Sequence, residues 1–140
     1  MFPYFSLDKR KRAAACGALF LFLILLDQTT KHFFALNKTF CNKNISLGIT
    51  INTRLFVLYW LLSISFIVLV FFLNQKKSLF KPIFLIFMLS GAVSNMLDRL
   101  IFGCVRDFIP FIFDLFYFNA ADTFIAAGFL FFLIFLFKSE

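Results

Sequence analysis

The sequence predicts an all-α membrane protein: four transmembrane helices with a small external β-like segment and an external surface segment, in one domain over residues 1–140. Three observations predict it. Hydrophobic residues make up 62% of the chain, more than a soluble domain carries. They fall in long runs, not in the period-two alternation of a membrane β-barrel. The 14 basic residues flank those runs instead of forming one stripe. The 26 Phe are spread along the chain, and lipid contact and helix packing are enough to account for them.

The first run covers residues 13–26 (AAACGALFLFLILL) and extends through Asp27 to Phe34. Lys9-Arg10-Lys11-Arg12 before it imitates a secretory signal. No small-residue cleavage site follows, and the run ends directly in Asp-Gln-Thr-Thr-Lys, so it reads as a retained helix. The second run, residues 55–73, is long enough alone to cross a hydrocarbon core of about 30 Å. The third and fourth cover residues 83–97 and 123–137. The first, third and fourth reach spanning length only if polar residues at one end enter the membrane. Asp27, Asp98 and Asp122 stand at those ends.

Eight of the 14 basic residues lie at the N-terminus (Lys9, Arg10, Lys11, Arg12), around residues 74–81 (Lys76, Lys77, Lys81) and at Lys138. Their bias puts both termini and the central loop in the cytoplasm. Residues 32–54 and 99–121 are then external. The former includes Ile49-Thr50-Ile51-Asn52-Thr53, an alternation compatible with a short β-structure. The latter, closing on Asp122 as DFIPFIFDLFYFNAAD, is expected to lie on the membrane surface with its Phe and Tyr dipping in.

Net charge is +7, but basic residues placed as membrane flanks do not imply a nucleic-acid partner. Three Cys (Cys16, Cys41, Cys104) make no metal spacing. Cys16 reads as a buried small hydrophobe. Cys41 and Cys104 both fall in external segments, which permits a disulfide without requiring one. His32 has no ligand set around it and reads as an interfacial polar residue.

Seven residues are acidic. Asp8 and Glu140 lie near the ends; Asp27, Asp98, Asp107, Asp114 and Asp122 all fall at the external face. Ionisable groups at membrane depth mark functional sites by default. Each still has a plainer reading. Asp27 and Lys31, four apart on one helix face, suit an interfacial ion pair that ends a span. Asp98 suits a charge pair with Arg99 or Arg106. Asp122 suits a helix N-cap, and Asp114 a solvated turn. Asp107, between Val105, Phe108 and Ile109, has no comparable explanation. Asn95 and Asp98, three apart, point to one side of the third helix, where Ser90, Gly91, Ala92 and Ser94 allow close helix approach. Gly103 permits a turn after it. Two carboxylates meeting in a poorly solvated site share one proton, and such a pair can activate water and protonate a leaving amine. Spacing leaves open whether Asp107 and Asp122 meet; the topology permits it.

Five motifs in order resemble those of lipoprotein signal peptidase (signal peptidase II), over nearly the whole chain. They are Asp27-Gln28-Thr29-Thr30-Lys31, residues 42–48 (NKNISLG), Ser94-Asn95-Met96-Leu97-Asp98-Arg99, Gly103-Cys104-Val105-Arg106-Asp107-Phe108 and Phe118-Asn119-Ala120-Ala121-Asp122. The last two match the family pattern at every fixed position. Asn44 and Ser94 stand where the family has Gly, Ser46 where it has Ala, and Leu47 where it has Phe. The resemblance implies that Asp107 and Asp122 are the catalytic pair of a membrane aspartic endopeptidase. Asn42, Asn95, Asp98, Arg99 and Asn119 would bind substrate or support the site, with Asp27 and Lys31 as supporting polar residues. It also implies cleavage of prolipoproteins before a diacylglyceryl-modified Cys, with no metal or cofactor. The expected setting is a monomer among lipids of the bacterial cell (inner) membrane, its site near the external face. The rival is a small non-enzymatic membrane protein, such as a transporter subunit or assembly factor, that uses the Asp cluster as an ion or proton site.

Overall fold

The structure is a computed structural model that describes residues 9–35, 40–43, 58, 61–65, 69, 80–113 and 115–137. Most of the second apolar run, the alternating stretch at 49–53, the loop at 74–79, Asn44, Ser46, Leu47 and Asp114 lie outside the described residues. Those described in the second run are helical.

Among the described residues three long helices carry the fold: α1 (Lys9–Ala35), α2 (Phe80–Phe102) and α3 (Ala120–Phe137). Within them, Arg10–Phe34 and Ile83–Phe102 are long and apolar enough to cross a membrane, while Ala120–Ile134 is a shorter apolar helix. At about 1.5 Å per residue the 20 residues of Ile83–Phe102 span about 30 Å. α1 and α2 run further than their apolar runs, because Asp27, Lys31 and Asp98 are buried inside the bundle and do not end the helices.

α2 packs chiefly on α3, and α1 on α2. Two glycines set the first contact. A Cβ on Gly91 would fall on the carbonyl oxygen of Ala121, and one on Gly128 would come within 2.7 Å of the Phe84 carbonyl. Phe84 meets Phe132, and Phe87 meets Phe124 and Phe131 edge-on, along the same seam.

Four short strands among the described residues cover one end of the helices. β1 (Phe40–Asn42) pairs antiparallel with β2 (Val105–Asp107), with Cys41 opposite Arg106. β3 (Ile109–Phe111) pairs antiparallel with β4 (Phe116–Phe118), with Pro110 opposite Tyr117. The surface segment expected at 107–122 is therefore largely a hairpin. Stacked Phe40 and Tyr117 join the two ribbons. Gly103 (φ 71°) makes the turn out of α2 that its lack of Cβ permits. A disulfide joins Cys41 to Cys104, with Cα atoms 5.5 Å apart. Cys16 is half-buried, not buried as its apolar run suggested.

Burial is the reverse of a soluble protein's. The buried side chains include Asp27, Lys31, Ser90, Ser94, Asn95, Asp98, Asp107 and Asn119. The exposed ones include Leu21, Phe22 and Leu25 on α1, Leu100 and Ile101 on α2, and Leu130 and Phe131 on α3. An apolar exterior around a hydrogen-bonded polar interior suits a hydrocarbon solvent.

Candidate active site

The site is built where α1, α2 and the start of α3 converge beneath the strands. α1 contributes Asp27, Gln28 and Lys31, which share a face at spacings of one and four. Asp27 binds Lys31 at 2.7 Å, both fully buried. The pair is thus an interior tie and not the helix-ending interfacial pair that its position suggested. The second Asp27 oxygen accepts the Ala121 backbone N–H at 2.8 Å, so α1 caps the first turn of α3. Ser94, where the motif expects Gly, donates to Asp27 at 2.6 Å.

Asp98 pairs with Arg106 (2.8 Å) and lies 3.4 Å from Lys31. It also accepts the Arg106 backbone N–H at 2.9 Å and Gln28 Nε2 at 3.0 Å. Arg106 reaches on to Gln28 Oε1 at 2.9 Å and lies 4.1 Å over the Phe102 ring. These contacts clamp β2 to the helices one residue before Asp107.

Asp107 and Asp122 are held by amides. Asn42 Nδ2 donates to Asp107 Oδ2 at 2.9 Å, and Asn119 Nδ2 to Asp107 Oδ1 at 2.6 Å. Asn95 Nδ2 donates to Asp122 Oδ1 at 2.7 Å. Asn119 is the N-cap of α3 and Asp122 its third residue. The Asp122 N–H reaches Asn119 Oδ1 at 3.0 Å, and the Asn119 N–H reaches Asp122 Oδ2 at 3.2 Å. This is a capping box, with Asp122 in the reciprocal position and not at the N-cap. Asn119 thereby touches both aspartates.

Burial pushes the Asp107 carboxyl up to about 6, and the Asp122 charge adds to the rise. Hydrogen bonds from Asn42 and Asn119 and the charge of Lys31 hold it from going higher. Arg99 acts electrostatically on Asp98, Asp107 and Asp122. Among the described residues this cluster joins four carboxylates (Asp27, Asp98, Asp107, Asp122) to three cations (Lys31, Arg99, Arg106). The cluster therefore holds one more carboxylate than cation among the described residues. Phe34 of α1 stacks on Phe108, the residue after Asp107, at 4.7 Å. Among the described residues no group of three or more His, Cys, Asp or Glu is arranged to hold a metal ion.

All nine residues singled out in the sequence (Asp27, Lys31, Asn42, Asn95, Asp98, Arg99, Asp107, Asn119, Asp122) meet in this one cluster. Gln28, Ser94 and Arg106 were not singled out for it. Gln28 had a signal, since it shares the Asp27/Lys31 face. Ser94 was read only as a small packing residue. Arg106 was named only as one of two partners for Asp98.

The sequence matches the Peptidase_A8 family, signal peptidase (SPase) II, over residues 19–138. It is 29% identical to the lipoprotein signal peptidase of Streptococcus thermophilus (strain CNRZ 1066), covering 92% of this chain and 96% of that one. It is also 29% identical to the enzyme of the same name from Staphylococcus haemolyticus (strain JCSC1435), covering 83% and 86%. The fold is similar to that of a bacterial membrane enzyme solved by the in meso method at 1.9 Å resolution. The TM-score is 0.75 at 25% identity, over 91% of this chain and 95% of that chain. With 120 consecutive residues matched and the two Asp-bearing motifs of the strand end intact, the chain belongs to the signal peptidase II family.

Proposed function

We propose that this chain removes the signal peptide of prolipoproteins as an aspartic endopeptidase, with Asp107 and Asp122 as its catalytic pair. The family supplies the reaction; the observation that carries the assignment is Asn119, which hydrogen-bonds both carboxylates. The pair holds one proton. Its ionised member takes a proton from water as the oxygen attacks the scissile carbonyl carbon. The protonated member gives its proton to the carbonyl oxygen. When the C–N bond of the tetrahedral intermediate breaks, a carboxyl returns a proton to the leaving amine. The products are a free carboxyl on the signal peptide and a free amino group on the new N-terminal residue, a diacylglyceryl-modified Cys.

The setting is a multi-pass protein of the bacterial cell membrane with four spanning helices, both termini cytoplasmic, acting as a monomer with its site near the external face. A disulfide beside the site supports the external placement, since such bonds persist in oxidising compartments. Family membership turns against the non-enzymatic reading.

The test is cleavage of a diacylglyceryl-modified precursor in lipid vesicles. Asp107→Asn and Asp122→Asn are each expected to lower kcat by about 10³-fold while the protein stays helical. A folded variant of either kind working at the wild-type rate overturns the assignment.

A further inference from the structure

β1 is three residues long, and an isolated two-stranded ribbon of such strands is marginal in stability. Yet its last residue, Asn42, supplies one of the two side-chain amides that hold Asp107. The other, Asn119, sits at the N-cap of α3 and does not depend on β1. Among the contacts that hold β1 at this place are its ladder to β2, the Phe40–Tyr117 stack and the Cys41–Cys104 disulfide. Only the disulfide is covalent. It joins the residue before Asn42 to the turn that leads out of α2, where Gly103 N–H bonds the Arg99 carbonyl at 3.1 Å. Cys104 is buried there, so the anchor point is fixed to the bundle.

We propose that the Cys41–Cys104 disulfide is a positioning device for the acid–base pair: it holds Asn42 on Asp107, and its reduction uncouples that amide from the carboxylate. This rests on the reading of Asp107 as catalytic. A phosphine reductant breaks the S–S bond with two electrons; two protons complete the two thiols, and the phosphine becomes its oxide with oxygen from water. The strand then loses the closure of a 63-residue separation and is left to non-covalent contacts such as its short ladder and the Phe40–Tyr117 stack.

The consequence is electrostatic. A hydrogen bond to the ionised form favours that form, so losing Asn42 moves Asp107 toward protonation. The charged groups acting on Asp107 are Lys31 from α1, Arg99 from α2 and Asp122 from α3. All three sit on the helices and not on β1. Arg106, its neighbour in β2, is tied to Asp98. From β1, Asn42 bonds Asp107, and Lys43 beyond it is exposed. A change in the titration of Asp107 on reduction therefore reports Asn42.

The experiment uses the full chain in lipid vesicles, in a Cys16→Ser background that removes the remaining thiol. kcat and KM for a lipidated precursor are followed against pH in the oxidised, phosphine-reduced and reoxidised protein. Reduction is expected to move the limb set by Asp107 upward by about one pH unit, a rate change of about tenfold within that limb. KM stays within about twofold, and reoxidation reverses the shift. Cys41→Ser reproduces it without reductant. Asn42→Ala shows the same shift while oxidised, and reduction adds nothing, because both changes remove one interaction. An unmoved limb, or a further equal shift in Asn42→Ala, overturns the proposal. So does loss of the helical circular dichroism signal on reduction, since the bond then holds the fold and not the amide. Asp107→Asn separates the two levels. If that variant still cleaves, the catalytic reading has failed; if it is inert and the limb is unmoved, only the positioning role has.

Discussion

Asn95 can point only one way. Lys31 Nζ is a donor without acceptor capacity, so the Asn95 oxygen must face it, at 2.8 Å, and the amide nitrogen must face Asp122. A buried cation thus sets the polarity of the donor on a proposed catalytic carboxylate. The same lysine neutralises Asp27 and lies against Asp98. Lys31→Met is expected to leave Asp27 uncompensated and to cost about 3–5 kcal/mol, read as loss of resistance to unfolding in detergent. The Asp107 carboxyl offers a second measurement at this scale. A like charge nearby disfavours ionisation, so removing the Asp122 charge lets Asp107 ionise more readily. In Asp122→Asn, the Asp107 carboxyl band in infrared difference spectra against Asp107→Asn is expected to titrate below the value of about 6, by about one unit. Titration at or above the wild-type midpoint indicates that the two carboxylates are not electrostatically coupled. The nine clustered residues were legible as carboxylates, amides and cations inside motifs. The partners Gln28, Ser94 and Arg106 were not, because nothing in a linear pattern says which way a guanidinium turns or that a small residue donates a hydrogen bond.

The first helix was expected to extend through Asp27 to Phe34 and ends at Ala35, while the third run, expected over 83–97, continues to Phe102. Counting apolar residues stops at the first charge, and Asp27, Lys31 and Asp98 satisfy one another inside the bundle instead of seeking water. The hairpin was invisible for another reason. Ile109-Pro110-Phe111 and Phe116-Tyr117-Phe118 have no polar alternation, so period two leaves no trace. Nor does its turn carry glycine: Ile112 (φ 43°) and Phe113 (φ 53°) both take left-handed backbone. The glycine-bearing face of α2 was legible as small residues that permit close approach, while Gly128 on α3 was not singled out. Gly91 is the tighter test. Its neighbour across the seam is the Ala121 backbone, which cannot yield as a flexible side chain would. Gly91→Val is expected to push the first turn of α3 off α2, moving Asp122 from Asn95. A stability loss of about 1–3 kcal/mol should accompany a fall in kcat with KM little changed. Wild-type kcat in a folded Gly91→Val protein would mean that the seam does not set the pair.

At the scale of the whole molecule, polar chemistry is concentrated at one end of an apolar body, and apolar surface continues right up to it. Leu100, Ile101 and Phe102 are exposed at the end of α2, Phe33 and Phe34 at the end of α1, and Ile112, Phe113 and Leu115 at the hairpin tip, where Phe113 is fully exposed. A peptide bond brought to Asp107 and Asp122 therefore arrives beside surfaces that suit acyl chains. A precursor acylated next to its scissile bond buries those chains in the bilayer at about 0.8 kcal/mol per CH₂. That anchors the bond at the depth of the site and turns a three-dimensional search into a positional one. An unlipidated precursor has to hold the same bond by peptide contacts alone. The comparison needs one precursor sequence with and without its diacylglyceryl group, at equal density on the same vesicles. Lipidation is expected to raise kcat/KM by about 10²-fold or more. Equal values would assign selection to the peptide and leave the apolar rim of the site with no part in choosing the substrate.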